Sequence, residues 1–322
     1  MNLKIKRILK ITLPLLLGVF LVWYSLSKVS VDELLVYLKK SDYSWIILGM
    51  VLGFLSHLSR AYRWLFMLEP MGYKIRFGNS IMAVFATYLI NYTIPRAGEV
   101  ARASILTNYE DVPFEKGFGT IVAERIADLI VMLGIISITL FLQFDFIYGF
   151  LIEKFNPIKI VIGLILLGFL IVLFLRYVKK SNSKIALKIR TFINGLIEGA
   201  LSIFKMKKKW AFIFHTLFIW GMYLLMFYIT SFSIEELHGI SVGAILIGFI
   251  SASFSIAATN GGIGSYPIAI YAAFSIFGIA EDPSIAFGWI MWASQTLMII
   301  IFGGISLIYL PIYNRKKSKS KS

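Results

Sequence analysis

Two clusters of charge stand inside otherwise apolar sequence, and any chemistry should be sought there. Arg96, Glu99 and Arg102 recur at i, i+3, i+6 directly after Pro95, with Asn91 and Tyr92 just before the proline. Glu124, Arg125 and Asp128 follow early in the next apolar segment. On a helix Glu124 and Asp128 share a face at i, i+4, and Arg125 meets Asp128 at i, i+3. A charged side chain at membrane depth costs at least roughly 2.5 kcal/mol on insertion scales, so such residues are functional candidates by default. A guanidinium fork matches the oxygens of a phosphate, and neighbouring carboxylates can orient that fork or receive a cationic headgroup. The same arginines and carboxylates also sum to neutrality, so they could close on one another as an ionic lock. Pure stability does not favour buried ion pairs over apolar packing, which argues for the ligand reading.

A third motif is Asn260-Gly261-Gly262-Ile263-Gly264-Ser265. Its backbone N–H groups, at the start of a helix, could hold an anion. The competing reading is a tight turn or a close helix contact. No strand precedes it, so a dinucleotide-binding fingerprint is rejected.

The elements that carry these motifs are membrane spans. The chain has 322 residues, 58% hydrophobic and 15% charged, with a mean hydropathy of +0.81. Apolar runs recur from Ile11 to Leu310, leaving no polar stretch for a separate soluble catalytic domain, so the chain is not expected to be an enzyme. The formal charge of +15 would suggest nucleic acid in a soluble protein, but here the anionic bilayer is the better polyanion. Nucleic acid is therefore not an expected partner. Cysteine is absent, which excludes disulfides and thiolate chemistry. His57, His215 and His238 are dispersed without a second ligand at metal spacing, so neither a metal nor a cofactor is expected.

Apolar candidates for spans of roughly 20 residues lie at 11–27, 44–66, 78–95, 119–143, 158–178, 210–232, 241–259, 263–280 and 284–310. Basic residues in short loops mark the cytoplasmic side. They gather at the N-terminus (Lys4, Lys6, Arg7, Lys10), at 60–76 (Arg60, Arg63, Lys74, Arg76), in the 176–209 loop and in the tail from Arg315. Arg60 and Arg63 read as snorkelling anchors at the inner end of a span. Both termini are thus expected in the cytoplasm, in a multi-pass protein of the inner membrane.

An odd number of crossings between the second and third basic segments would break this map. The 78–95 run, broken at Asn91-Tyr92-Thr93-Ile94-Pro95, is therefore expected to turn back through 99–107 as a re-entrant hairpin. Irregular backbone at membrane depth is tolerated only where protein or water covers it. The 241–280 region, broken at 259–267 and flanked by Glu235, Glu236, Glu281 and Asp282, would dip from the opposite face or cross fully. The expected fold is thus an all-α polytopic membrane protein with about six full spans plus two Gly/Pro-broken hairpins, up to eight spans. Two such hairpins from opposite sides are the pattern of an inverted-repeat transporter. One transmembrane domain would cover 1–314, with an amphipathic interfacial helix at 184–204 on the anionic leaflet and a basic tail at 315–322.

Arg60-Ala61-Tyr62-Arg63-Trp64, Ile94-Pro95-Arg96-Ala97-Gly98-Glu99 with Arg102, Glu124-Arg125-Ile126-Ala127-Asp128, and Gly261-Gly262-Ile263-Gly264 followed by Pro267 resemble the lysylphosphatidylglycerol synthase transmembrane-region family of flippase-like membrane proteins. The resemblance spans almost the whole chain and rests on the order of four motifs. Asn260 departs from it, standing where many members carry a proline. What the resemblance implies is lipid handling in the inner membrane. In larger members a related region moves aminoacylated phospholipid between leaflets, and a separate soluble domain performs aminoacyl transfer. That activity is not expected of this chain.

The leading expectation is a lipid translocase or lipid-binding transporter for an anionic or aminoacylated phospholipid or a polyprenyl-phosphate-type lipid. Arg96, Arg102 and Arg125 would meet phosphate, with Glu99, Glu124 and Asp128 orienting them. Asn91, Asn260, Gly261, Gly262, Gly264 and Ser265 complete the substrate-binding set. Two readings compete, a membrane-embedded transferase acting on lipid-linked substrates and a non-transporting scaffold for partner enzymes of the envelope.

Overall fold

The computed structural model describes residues 19–27, 31–94, 97–154, 157–181, 183, 185–187, 189–190 and 206–315. Among them there is no strand. The helices are α1 (residues 19–27), α2 (Val31–Lys40), α3 (Tyr43–Leu68), α4 (Phe77–Thr93), α5 (Ala97–Glu110), α6 (Phe114–Leu142), α7 (Phe144–Lys154), α8 (Pro157–Lys180), α9 (Lys209–Ser231), α10 (Val242–Ala258), α11 (Ser265–Ser275) and α12 (Glu281–Tyr313). The protein is an all-α polytopic membrane protein. Among the described residues α3 with its C-terminal turn, α6, α9 and α12 are each long and apolar enough to cross a bilayer. The chain groups into two compact units, Met1–Val122 with Trp210–Ser322, and Ala123–Lys209. The interfacial helix expected at 184–204 falls largely outside the described residues.

In the first unit, local chemistry sets where each helix stops. Asp42 caps α3, its carboxylate accepting from the Ser44 N–H at 2.9 Å. α4 ends because Ile94 precedes Pro95 and is held extended, φ −131°, ψ 110°. α10 ends at extended Thr259, after which Gly261, Gly262 and Gly264 all take positive φ, between 67° and 79°. Side chains with a Cβ rarely adopt that conformation, so the glycines make this turn.

α4 and α5 pack as one hairpin, and α10 and α11 as another. At 1.5 Å per residue their arms measure about 25 and 21 Å, and about 25 and 17 Å, against a hydrocarbon core of about 30 Å. The 11-residue α11 is too short to cross, which decides against the fully spanning version of the second hairpin.

The 33-residue α12 runs alongside both hairpins and sets their relation. A Cβ on Gly78, at the start of α4, would touch Tyr313 at 3.2 Å, and one on Gly303 would meet Leu89 at 2.7 Å. Farther along α4, Tyr92 meets Thr296. The second hairpin takes over from there. Trp292 bonds the Gly261 carbonyl, Gly288 lies against the Pro267 backbone, and Phe287 stacks on Phe274 at 5.9 Å. The base of each hairpin therefore lies at an opposite end of α12, and the two tips meet near its middle. That arrangement is the one expected of two broken segments entering from opposite faces.

Small residues permit the approach. On α3, Gly49 faces Thr230 and Gly53 faces Gln295 and Met226. The apolar core divides accordingly. Phe85, Met298 and Ile299 form a cluster with Met50, Phe54, Tyr88, Leu89 and Tyr92 around the first hairpin. Around the second, Phe227 stands edge-on to Phe249, Phe274 and Phe287. Elsewhere α12 presents Leu297, Ile300, Ile305 and Ile308 outward. A helix apolar on all sides, with one side packed and the other exposed, suits a span facing lipid.

α2 was not among the expected elements. It is amphipathic rather than uniformly apolar, opening on Asp32 and Glu33 and closing on Lys39 and Lys40, each charge at the helix end that its dipole favours.

Candidate functional site

The first hairpin is held at its tip by the Asn91 side chain. Its carboxamide oxygen accepts from the Gly98 N–H at 2.8 Å, satisfying a donor in the first turn of α5. Its amide donates to Glu99 at 3.3 Å. A Cβ at Gly98 would collide with the Thr87 carbonyl and the Asn91 side chain, so only glycine lets the arms close this tightly. Asn91 and Glu99, picked out from sequence, are thus brought together. Arg96 lies outside the described residues.

The second tip is built from hydroxyls and carbonyls. Thr259 Oγ1 accepts from the Gly262 N–H at 3.1 Å, and Ser265 Oγ lies 2.6 Å from Ser255 Oγ and 2.9 Å from Thr259 Oγ1. The N–H groups of Gly261 and Gly262 bond within the turn, and Gly264 packs on the backbone of Leu21 and Val22 in α1.

The two tips touch. Asn260 Nδ2 donates to the Tyr92 carbonyl at 3.0 Å, and Thr296 Oγ1 donates to the Tyr92 hydroxyl at 3.2 Å. Trp292 Nε1 donates to the Gly261 carbonyl at 2.8 Å. A Cβ at Gly261 would reach within 2.7 Å of the Tyr92 ring. Tyr92 therefore fills the space between the hairpins and is bonded at both its ends. In a bilayer an exposed carbonyl costs several kcal/mol, so each break is covered by the other hairpin and by α12.

A second polar region follows α3. Arg102 is 1% exposed, its guanidinium 3.8 Å above the Trp64 ring. Trp64 Nε1 donates to Thr120 Oγ1 at 2.8 Å. Arg63 is fully buried, donates to Thr216 Oγ1 at 2.8 Å and stacks on Phe212 at 5.3 Å. Arg60 is 2% exposed. Arg60 and Arg63 are therefore not snorkelling anchors. The polar face of α3, with Ser56, His57, Ser59, Arg60 and Arg63, turns into the protein, where Phe212 and Thr216 take the Arg63 guanidinium that sequence alone directs to the interface.

The base of the first hairpin carries a clamp that sequence reasoning missed. Arg76 Nε donates to Glu110 Oε1 at 3.0 Å, joining the two arms. Asn79 also donates to Glu110, and Asn314 Nδ2 donates to Asn79 Oδ1 at 2.8 Å. Arg76 reaches Asn314 and stacks on Tyr313 at 5.3 Å, which fixes the base to the end of α12. Asn79 and Asn314 are both buried. No local pattern marks this set, because its members come together from α4, α5 and the end of α12.

In the second unit Glu124 is fully buried and Asp128 is 7% exposed. Arg125 reaches Asp128 at 3.8 Å, the i, i+3 pair expected from the spacing, with its side chain 41% exposed.

Comparisons with known proteins place this site in context. Residues 11–303 match the family model described as lysylphosphatidylglycerol synthase TM region. The UPF0104 membrane protein of Methanocaldococcus jannaschii is 26% identical over 87% of this chain and 88% of its own length. The glycosyltransferase AglD of Haloferax volcanii is 26% identical over 42% of this chain and 22% of its own length. No solved structure matches the chain.

Proposed function

The chain belongs to the lysylphosphatidylglycerol synthase TM region family, and from that premise we propose that it is a lipid translocase of the inner membrane. Its cargo is an anionic or aminoacylated phospholipid, or a polyprenyl-phosphate-type lipid. It is not an enzyme in this reading, and both termini lie in the cytoplasm.

The observation that carries the proposal is the junction of two broken hairpins, based at opposite ends of α12, at Tyr92, Asn260 and Gly261. Broken helices meeting at mid-depth offer what a headgroup needs there, main-chain and carboxamide groups already desolvated and able to exchange partners. In this closed state Tyr92 occupies the gap. Separation of the tips admits the headgroup while the acyl chains stay in lipid. Arg96, at the first break, and Arg102 supply a cationic surround for phosphate in the first unit, and Arg125 supplies another in the second. Glu99 orients the arginines of the first unit or receives a cationic headgroup, and Glu124 and Asp128 do the same beside Arg125. The buried Arg102 is aligned by Trp64, which lowers the ordering needed on binding.

A leaflet-resolved assay tests this. Vesicles holding the protein and an acyl-labelled phosphatidylglycerol are treated with a quencher that reaches only the outer leaflet. The proposal expects protein-dependent exchange that falls at least tenfold in Arg96→Ala and in Asp128→Asn. Unchanged exchange in both variants would remove these residues from the site.

The partial match to AglD favours one second reading, a membrane-embedded transferase using a lipid-linked substrate. Turnover of a polyprenyl-phosphate-linked sugar by the purified protein would support it over translocation.

A further inference from the structure

His57 is a buried titratable group of the polar face of α3 to which the proposed function gives no role. It sits midway along α3, is 6% exposed, and its Nδ1 has no hydrogen-bond partner among the described residues. An imidazole nitrogen in that condition is costly unless another state of the protein uses it. Its surroundings are aromatic and supplied by two other helices. The Tyr88 and Phe85 rings of α4 lie at 4.5 and 5.5 Å, and Tyr223 of α9 at 6.1 Å.

The titratable and charged groups facing His57 are few. α4 contributes Tyr88, α9 contributes Tyr223, and α3 itself contributes the buried Arg60 one turn away. From α12, Gln295 packs on Gly53, one turn before His57. Ser59, on the same helix, is bonded to His215 at 2.8 Å.

This position communicates with the hairpin junction. Tyr88 and Tyr92 are four residues apart on α4 and share a face. Tyr88 packs on His57, and Tyr92 bonds both Asn260 and Thr296. A proton gained at His57 places an imidazolium one turn from the Arg60 guanidinium. Like charges at that spacing repel, and both groups are nearly sealed from solvent. The repulsion is relieved if α3 and α4 separate enough to admit water, and that movement draws Tyr92 out of the junction. Protonation and opening of the tips are then linked, in the manner of ionisable residues that serve as proton relays inside membranes.

We infer that His57 is a proton-binding site that couples opening of the hairpins, and so lipid movement, to the transmembrane proton gradient. This rests on the translocase reading. For one proton per lipid, a gradient of one pH unit shifts the leaflet ratio of the lipid by up to about tenfold.

The experiment imposes pH gradients of either sign on vesicles containing acyl-labelled phosphatidylglycerol and reads the steady-state leaflet ratio. Each protein is compared with itself at zero gradient, which normalises any change in basal rate, and monodisperse elution from a sizing column verifies the fold of each variant. The wild type is expected to shift the ratio in opposite directions under opposite gradients. His57→Gln and His57→Asn are expected to lose that shift, and His238→Gln to retain it. A wild-type ratio indifferent to the gradient, or a shift that survives in both His57 variants, overturns the coupling and leaves the translocase reading standing. If the wild type moves no lipid under any gradient, the translocase reading itself fails. The proton site is then judged by ¹⁵N-histidine NMR of the same vesicles. A signal absent from His57→Gln that titrates as the pH is lowered supports it, and one constant down to the acid limit of the folded protein overturns it.

Discussion

Asn260 donates a hydrogen bond to the main-chain carbonyl of Tyr92 at 3.0 Å, joining residues 168 positions apart in sequence. The bond ties the tip of one broken helix to the tip of another. Removing it in Asn260→Ala leaves a partly buried carbonyl without its donor, a cost of about 1 kcal/mol. The native chain has no cysteine, so access can be read from a single cysteine at Ser255, which is buried at the second tip. Maleimide labelling of that cysteine is expected to accelerate several-fold in the Asn260→Ala background. An unchanged rate would mean that the bond does not hold the tips closed.

Gly98 and Gly119 make a matched pair. A methyl group at Gly98 collides with the Thr87 carbonyl and Asn91, whereas one at Gly119 meets nothing within 4 Å. Gly98→Ala should destabilise by about 1 to 3 kcal/mol through overpacking. Gly119→Ala, in a helix interior, should be neutral or stabilising by about 0.4 to 1 kcal/mol. Thermal unfolding in detergent compares the two. Equal midpoints would contradict the close packing of α4 on α5.

Arg102 depends on its planarity. Its guanidinium lies 3.8 Å over Trp64, a stacking that an ammonium reproduces poorly. Arg102→Lys should therefore lower lipid exchange nearly as far as Arg102→Gln, although it preserves charge. Trp64→Leu should do the same and also cost about 3 kcal/mol in stability. Full exchange by Arg102→Lys would reduce the site to simple charge.

Sidedness follows from the hairpin bases. Exposed Asn108 marks the base of the first hairpin, and exposed Glu236 lies just ahead of the second. A cysteine at Asn108 should label from the cytoplasm, together with one at Ser183, and a cysteine at Glu236 from outside. Labelling of Asn108 and Glu236 positions from one face would rule out entry from opposite sides.

The spans and both breaks were legible in the sequence because each follows from local chemistry. Pro95 forces Ile94 out of the helix, and three glycines permit a turn that other residues resist. Asn91 and Glu99 were legible too, as polar residues flanking a break. What sequence could not supply is orientation. Arg60 and Arg63 have the spacing of interfacial anchors, and only the packing of α3 on its neighbours turns them inward. The sequence marks Tyr92 only as a neighbour of Pro95 and does not single out Trp292. Their roles come from partners on other helices, Asn260, Thr296 and Gly261, which no local pattern encodes. The clamp of Arg76, Glu110, Asn79 and Asn314 is hidden for the same reason.

In the translocase reading, the hairpin tips must part for lipid to move. Cysteines placed at Thr93 and Asn260, joined by a short bifunctional maleimide and assayed in vesicles with acyl-labelled phosphatidylglycerol, test it most directly. Either cysteine alone, treated identically, controls for modification. Cross-linking the pair is expected to reduce lipid exchange at least tenfold, and cleavage of a cleavable linker is expected to restore it. Exchange at the unlinked rate in fully cross-linked protein would contradict the requirement that the tips part.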